Sequence, residues 1–230
     1  YKINIVDTPG HADFGGEVER SLSMVDGVVL LVDAFEGCMP QTRTVLKKSL
    51  DLGLSPIIVI NKADRPNARC KEVLNEVYDL LIDLDATDEQ LDSPVVYVSG
   101  RDGWASLSPD NHPDDLKVLF DLILSHIPAP EDTREGDFQM LVSNIDYDTF
   151  TGRIAVGRIN RGIVKTNMPI TVCQENITPY NAHVSKLFCY KDLSKQVVTE
   201  AGAGEIVAIS GIDKINIGDT ICASGVIEPL

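Results

Sequence analysis

The sequence predicts an α/β domain built on a doubly wound, mostly parallel sheet, followed by an antiparallel β-barrel domain. Three observations carry this. Up to residue 127, apolar strand-like runs alternate with helical patterns, the signature of successive βα units. At residues 127–132, Ile-Pro-Ala-Pro-Glu-Asp, two prolines interrupt that rhythm and the residues up to 137 are polar and acidic. Beyond them the texture changes to short β-type segments punctuated by glycine, which fit a small antiparallel barrel. The expected organisation is a first domain over 1–127, a linker over 128–137 and a barrel over 138–230.

Each element has a local reason. Residues 2–7 are an apolar strand-like run, 13–25 a helix, 27–34 a second strand and 40–52 a helix. Pro40 suits the first helical position and Gly53 the residue after the last, so this helix has both ends marked. Residues 56–61 form the next strand, 69–84 a helix and 94–99 a strand. Over 114–127 a final helix places Leu116, Leu119, Phe120, Ile123 and Leu124 on one face. In the barrel, strands are expected over 139–145, 152–161, 169–172, 183–190, 205–209 and 219–223.

Composition narrows the class. The 230 residues are 43% hydrophobic, enough for two cores, and no apolar run approaches a membrane span. The five scattered cysteines lack C-x-x-C spacing, which fits reduced thiols and a cytoplasmic setting. Net charge is −15, and 26 of the 35 acidic side chains fall within residues 1–137. So acidic a surface argues against DNA and against charge-driven binding of nucleic acid in general; any RNA contact is local and shape-fitted. Arg153, Arg158, Arg161 and Lys165 cluster in the nearly neutral second part, and read equally as phosphate contacts or as a solvated strand face.

The chemistry concentrates at strand ends. Asp7-Thr8-Pro9-Gly10-His11 follows the apolar run Ile3-Asn4-Ile5-Val6, and Asn61-Lys62-Ala63-Asp64 follows the strand over 56–61. A carboxylate at a strand end can hold the water shell of Mg²⁺, and Gly10 lets its N–H approach a γ-phosphate. Asp64 can accept two hydrogen bonds from the N1–H and exocyclic amine of guanine, which adenine does not offer. Ser99-Gly100 sits at a third strand end, and ligands of doubly wound sheets bind there. Either tetrapeptide alone is a weak signal; in this order, on successive strands, they point to a guanine-nucleotide site. No G-x-x-x-x-G-K-[ST] loop occurs, so the chain reads as starting inside its nucleotide-binding domain.

With Ala12-Asp13-Phe14 and Glu17-Val18-Glu19-Arg20 added, the first motif resembles the translational GTPases, the class of elongation factors G and Tu. Val32-Asp33-Ala34-Phe35-Glu36-Gly37, Met39-Pro40-Gln41-Thr42-Arg43, Ile60 to Pro66 and Leu84 to Asp92 are similar to the ribosome-associated BipA/TypA branch, as are Phe138-Gln139-Met140 and Gly157 to Gly162. The resemblance implies a partial P-loop GTPase domain that binds GTP and GDP with Mg²⁺. Its partners would be the ribosome, including ribosomal RNA, with no membrane and no DNA. By the same resemblance Asp7 orders Mg²⁺ through water, Gly10 contacts the γ-phosphate and His11 orients the attacking water. Asn61 contacts the purine and braces the loops, Lys62 lays its stem along the base, and Asp64 selects guanine. Ser99 and Gly100 complete the pocket. Gly100 stands where the family usually has alanine, whose N–H meets guanine O6. The family fold further implies a strand between residues 3–6 and 28–32, hence a gap in the sheet here, and the isolated chain is expected to bind GTP poorly. A docking module with a vestigial nucleotide site is the alternative.

Overall fold

The computed structural model describes residues 1–8, 15–54, 56–192 and 194–230. They fall into two compact units, one of residues 8–129 and one of residues 1–7 with 130–230. The first carries α1 (Gly15–Leu22), β1 (Val28–Asp33), α2 (Pro40–Asp51), β2 (Pro56–Asn61), α3 (Cys70–Asp83), α4 (Asp88–Leu91), β3 (Val95–Ser99), β4 (Trp104–Ser106) and α5 (Lys117–His126). Strands β1, β2 and β3 are parallel, and β4 adds antiparallel to β3. Every side chain of β2 through Ile60 is buried, as a parallel strand covered on both faces requires. Ile58, Ile60, Leu30, Val32 and Tyr97 pack on one side with Leu46 of α2 and Val73, Val77, Leu80 and Leu81 of α3. Ile57, Val59, Val96 and Val98 face α5 on the other. The sheet is doubly wound, as predicted.

The marked helix ends form as read. Pro40 opens α2, and at its close Gly53 takes φ +72° while Gly53 N–H donates to Leu50 O (2.9 Å) and Leu54 N–H to Ser49 O (3.0 Å). Helix α3 stops the same way with Asp85 in the left-handed region, so the acidic run 83–89 is a helix end followed by the Thr87 cap of α4. The α5 face needs correction. Leu116, Leu119 and Ile123 meet the core with Val118, Leu122 and Ile127, whereas Phe120 and Leu124 are exposed. The inward face is rotated because Val118 and Leu122 take part of the contact.

Residues 2–7 overturn another expectation. They form no strand; residues 1–5 are exposed, and Lys2 faces Glu205 of the second unit at 3.9 Å. A strand exists by its pairing, and an apolar run without a ladder partner leaves its backbone to solvent. The outer edge of β1 accordingly has no partner strand among the described residues, and residues 3–6 do not fill it.

The second unit contains β5 (Gln139–Leu141), β6 (Asn144–Asp148), β7 (Gly152–Arg161), β8 (Ile163–Lys165), β9 (Pro169–Gln174), β10 (Ile177–His183), β11 (Lys186–Lys191), β12 (Ser194–Val198), β13 (Glu200–Gly202), β14 (Ile206–Ser210) and β15 (Thr220–Ala223). All pair antiparallel. Nine make one sheet in the order β10-β9-β15-β5-β7-β14-β11-β12 with β6 on β7, and β13 pairs β8. Met140, Ile159, Val172, Leu187, Ile209 and Ile221 come from strands spread across that order yet share one core, so the sheet curls round it. No ladder joins β10 to β12 among the described residues; the curl is barrel-like without closing. The basic cluster is largely engaged internally. Arg153 Nη1 donates to Ile215 O (2.6 Å), Arg161 Nε to Asp137 O (2.9 Å), and Lys165 faces Glu200 at 3.4 Å. No helix among the described residues is long and apolar enough to cross a membrane.

Candidate functional site at three strand ends

The register of the first sheet aligns Asp33 with Asn61, and Asn61 with Val98, so the carboxyl ends of β1, β2 and β3 finish side by side. Each then turns into a loop bearing polar side chains. Asn61 is the hub. Its Oδ1 accepts the N–H of Lys62 (2.8 Å) and, from the neighbouring loop, the N–H of Gly100 (3.2 Å). Thus Asn61 ties the two loops as expected, but the Gly100 N–H expected to meet a base oxygen is donated within the protein. A Cβ built on Gly100 meets nothing nearer than Asn61 Oδ1 at 3.6 Å. Gly100→Ala therefore fits, and it is expected to raise stability by about 0.5 kcal/mol through a less flexible unfolded chain, read as a higher urea midpoint.

Lys62 adopts φ +62°, a conformation that costs a side-chain-bearing residue about 1 kcal/mol. Such strain persists where the surroundings over-determine it. The Lys62 ammonium forms an ion pair with Asp33 Oδ2, which fixes the course of its stem across the strand ends. Asp33 Oδ1 accepts the N–H groups of Phe35 (2.8 Å) and Glu36 (3.2 Å). Burial pushes the Asp33 carboxyl up, but the bonds from Lys62, Phe35 and Glu36 outweigh it and bring its pKa down to about 2.

A depressed carboxylate stabilises the fold above its ordinary pKa and loses that contribution as pH falls from roughly 4 through roughly 2. With solvent screening the contribution is about 1 kcal/mol. Asp33→Asn is therefore expected to lower stability at pH 7 by about that amount, with the deficit closing below about pH 3, measured by urea unfolding across the acid range.

Asp64 lies mostly buried, its side chain 13% exposed, and its Oδ2 forms an ion pair with Arg101 Nη2 at 3.1 Å. Arg101 also forks onto Asp102, Nε to Oδ1 at 2.9 Å and Nη2 to Oδ2 at 3.1 Å. Ser99, wholly buried, donates its hydroxyl to Asp102 Oδ2 (3.1 Å) and accepts the Asp102 N–H (3.1 Å). The bond from Arg101, with that from Ser99, holds the Asp102 carboxyl below its usual range against a smaller opposing desolvation. Trp104 closes the loop as a buried plug stacked on His112, ring centroids 4.4 Å apart.

The structure thus brings together Asn61, Lys62, Asp64, Ser99 and Gly100 of the expected site residues. Gly10 and His11 lie outside the described residues. Asp7 is exposed and belongs with the second unit. Among the described residues no group of three or more acidic, histidine or cysteine side chains is placed to hold a metal ion by itself. Asp33, Arg101 and Asp102 are the members that motif reading did not assign to the site. Asp33 carried a signal, an acid closing an apolar run. Arg101 carried none, because its reach to Asp64 spans two loops.

Residues 1–129 match the family model described as the elongation factor Tu GTP binding domain, and residues 152–222 match elongation factor Tu domain 2. The chain belongs to the elongation factor Tu type of GTP-binding proteins. Within that class it is 49% identical over 229 residues to the large ribosomal subunit assembly factor BipA of Bacillus subtilis, and 50% identical over 230 residues to that of Shigella flexneri. It is also 50% identical over 220 residues to the putative elongation factor TypA-like SVR3, chloroplastic, of Arabidopsis thaliana. The resemblance to the BipA/TypA branch read from the motifs holds along the whole chain. These alignments take in 96–100% of this chain but only 33–38% of those relatives. Among solved structures, translation elongation factor SelB from Methanococcus maripaludis, in complex with the GTP analogue GppNHp, is similar with a TM-score of 0.73 and 25% identity, over 96% of this chain and 46% of that one.

Proposed function

We propose that these residues are the guanine-reading part of a ribosome-associated GTPase that binds GTP and GDP in the cytoplasm and hydrolyses GTP when the ribosome stimulates it. The observation that supports this most is the convergence of Asn61, Lys62, Asp64, Ser99 and Gly100 on adjacent strand ends. Asp64 would accept from N1–H and the exocyclic amine of guanine, while Asn61, its Oδ1 already bonded, keeps its amide N–H groups for the purine N7. Lys62, tethered by Asp33, offers its stem as a floor for the base. On binding, the Gly100 N–H would exchange Asn61 Oδ1 for O6.

The roles of Gly10 at the γ-phosphate, His11 at the attacking water and Asp7 at Mg²⁺ carry over from the family resemblance as proposals. Hydrolysis would then rest on positioning within a site completed by the ribosome. We assign residues 1–127 to the partial GTP-binding domain, 128–137 to the linker and 138–230 to a β-barrel domain of the translation-factor type.

Calorimetry with GDP, GTP and ATP on this chain and on the same chain extended at its amino terminus through a phosphate loop tests the reading. Binding of GDP and GTP, but not ATP, by the extended chain alone is expected. Binding by neither would overturn it in favour of a docking module with a vestigial site.

A further inference from the structure

Arg101 stands apart from the residues assigned above. Its side chain is 78% exposed, yet its guanidinium reaches Asp64, a mostly buried carboxylate of the site. It is steadied there by the fork onto Asp102, which Ser99 anchors in turn. The contact is made between Nη2 and Asp64 Oδ2, while Nε of Arg101 faces Asp102.

The edge of guanine that a carboxylate reads, N1–H beside C2–NH₂, is itself a guanidine fragment. Arg101 therefore offers Asp64 the same kind of donor as the base. We propose that Arg101 is a specificity-determining residue of the pocket, an internal competitor of the guanine exocyclic amine for Asp64.

The competition is unequal between bases. Guanine needs both carboxylate oxygens and must displace Arg101, which falls back on Asp102. Hypoxanthine carries N1–H but no exocyclic amine, needs one oxygen, and can bind with Arg101 in place. Adenine presents an acceptor at N1 and cannot displace the arginine at all. Arg101 thus lowers guanine affinity selectively, and it does so as an exposed ion pair whose grip weakens with salt.

This inference rests on the proposed guanine-nucleotide reading, and its test separates the two. GDP and IDP affinities are measured by calorimetry for the full-length protein carrying these residues and for its Arg101→Ala variant, at low and high salt. Arg101→Ala is expected to tighten GDP about three- to fivefold at low salt while moving IDP less than about twofold, with the GDP difference shrinking as salt rises. An arginine that merely attracted phosphates or held the loop would, on removal, weaken both nucleotides together; that result, or an equal change in both, overturns the proposal. Absence of GDP binding by the unsubstituted protein would overturn the guanine reading and this inference with it, whereas GDP binding unaffected by Arg101→Ala overturns the role of Arg101 alone.

Discussion

Asp64→Asn in the full-length protein is expected to weaken GDP binding by about 100- to 1000-fold and to gain xanthosine diphosphate in exchange. The size follows from two charge-assisted hydrogen bonds, each worth about 1.5–3 kcal/mol, at a carboxylate that is already mostly out of water. The amide keeps one acceptor but turns a donor toward the exocyclic amine, so the contact becomes repulsive rather than neutral. Xanthine replaces that amine with a carbonyl and accepts the new donor. The substitution is nearly isosteric, and circular dichroism should show an unchanged fold. Calorimetry with the two diphosphates checks the swap; a variant that still binds GDP like the unsubstituted protein would remove Asp64 from the site.

The parts of this pocket differ in how plainly the sequence announced them, and the difference tracks the range of the interaction involved. Pro40 and Gly53 mark α2 because helix ends are local events, satisfied within a few residues. Strand β2 was equally plain, since a strand buried on both faces must be apolar throughout. Strands β8 and β13 are three residues each and exist only because Val164 meets Ala201 across the unit, a pairing with no local signature. Residues 2–7 show the converse, a good strand sequence without a ladder.

In the site, Asn61 and Asp64 share a loop and could be read together. Asp33 and Lys62 meet only because parallel register sets Asp33 beside Asn61. Arg101 joins Asp64 only through the length of its own side chain. Gly100 was read as standing where the related family usually has alanine, but the use of its N–H by Asn61 depends on two loops folding toward each other.

Glycine at 162 presents a constraint of another order, and Gly162→Ala is expected to destabilise the second unit by about 2–5 kcal/mol. Gly162 closes β7 with φ +76°, where any Cβ is strained. Its surroundings are also backbone rather than side chain. A Cβ there would lie 2.5 Å from Gly136 O, 2.6 Å from Phe138 N and 2.7 Å from Phe138 Cα. These atoms cannot swing aside as a lysine tip would. They belong to the segment that Gly162 N–H fastens by donating to Thr133 O (2.9 Å), and that leads into Phe138, a fully buried core residue. Relief would have to come from moving the start of β5 off the core.

Gly218→Ala supplies the control, because Gly218 has φ +92° with nothing within 4 Å of a Cβ. It should cost only the conformational term, about 1–2 kcal/mol. The two units can be told apart during urea unfolding, since Trp104 is the only tryptophan and reports the first unit. Gly162→Ala should shift the far-ultraviolet circular dichroism transition of the β-rich unit and leave the tryptophan fluorescence midpoint where it is. Equal effects of the two alanines would show that the backbone beside Gly162 yields more readily than its hydrogen bonding implies.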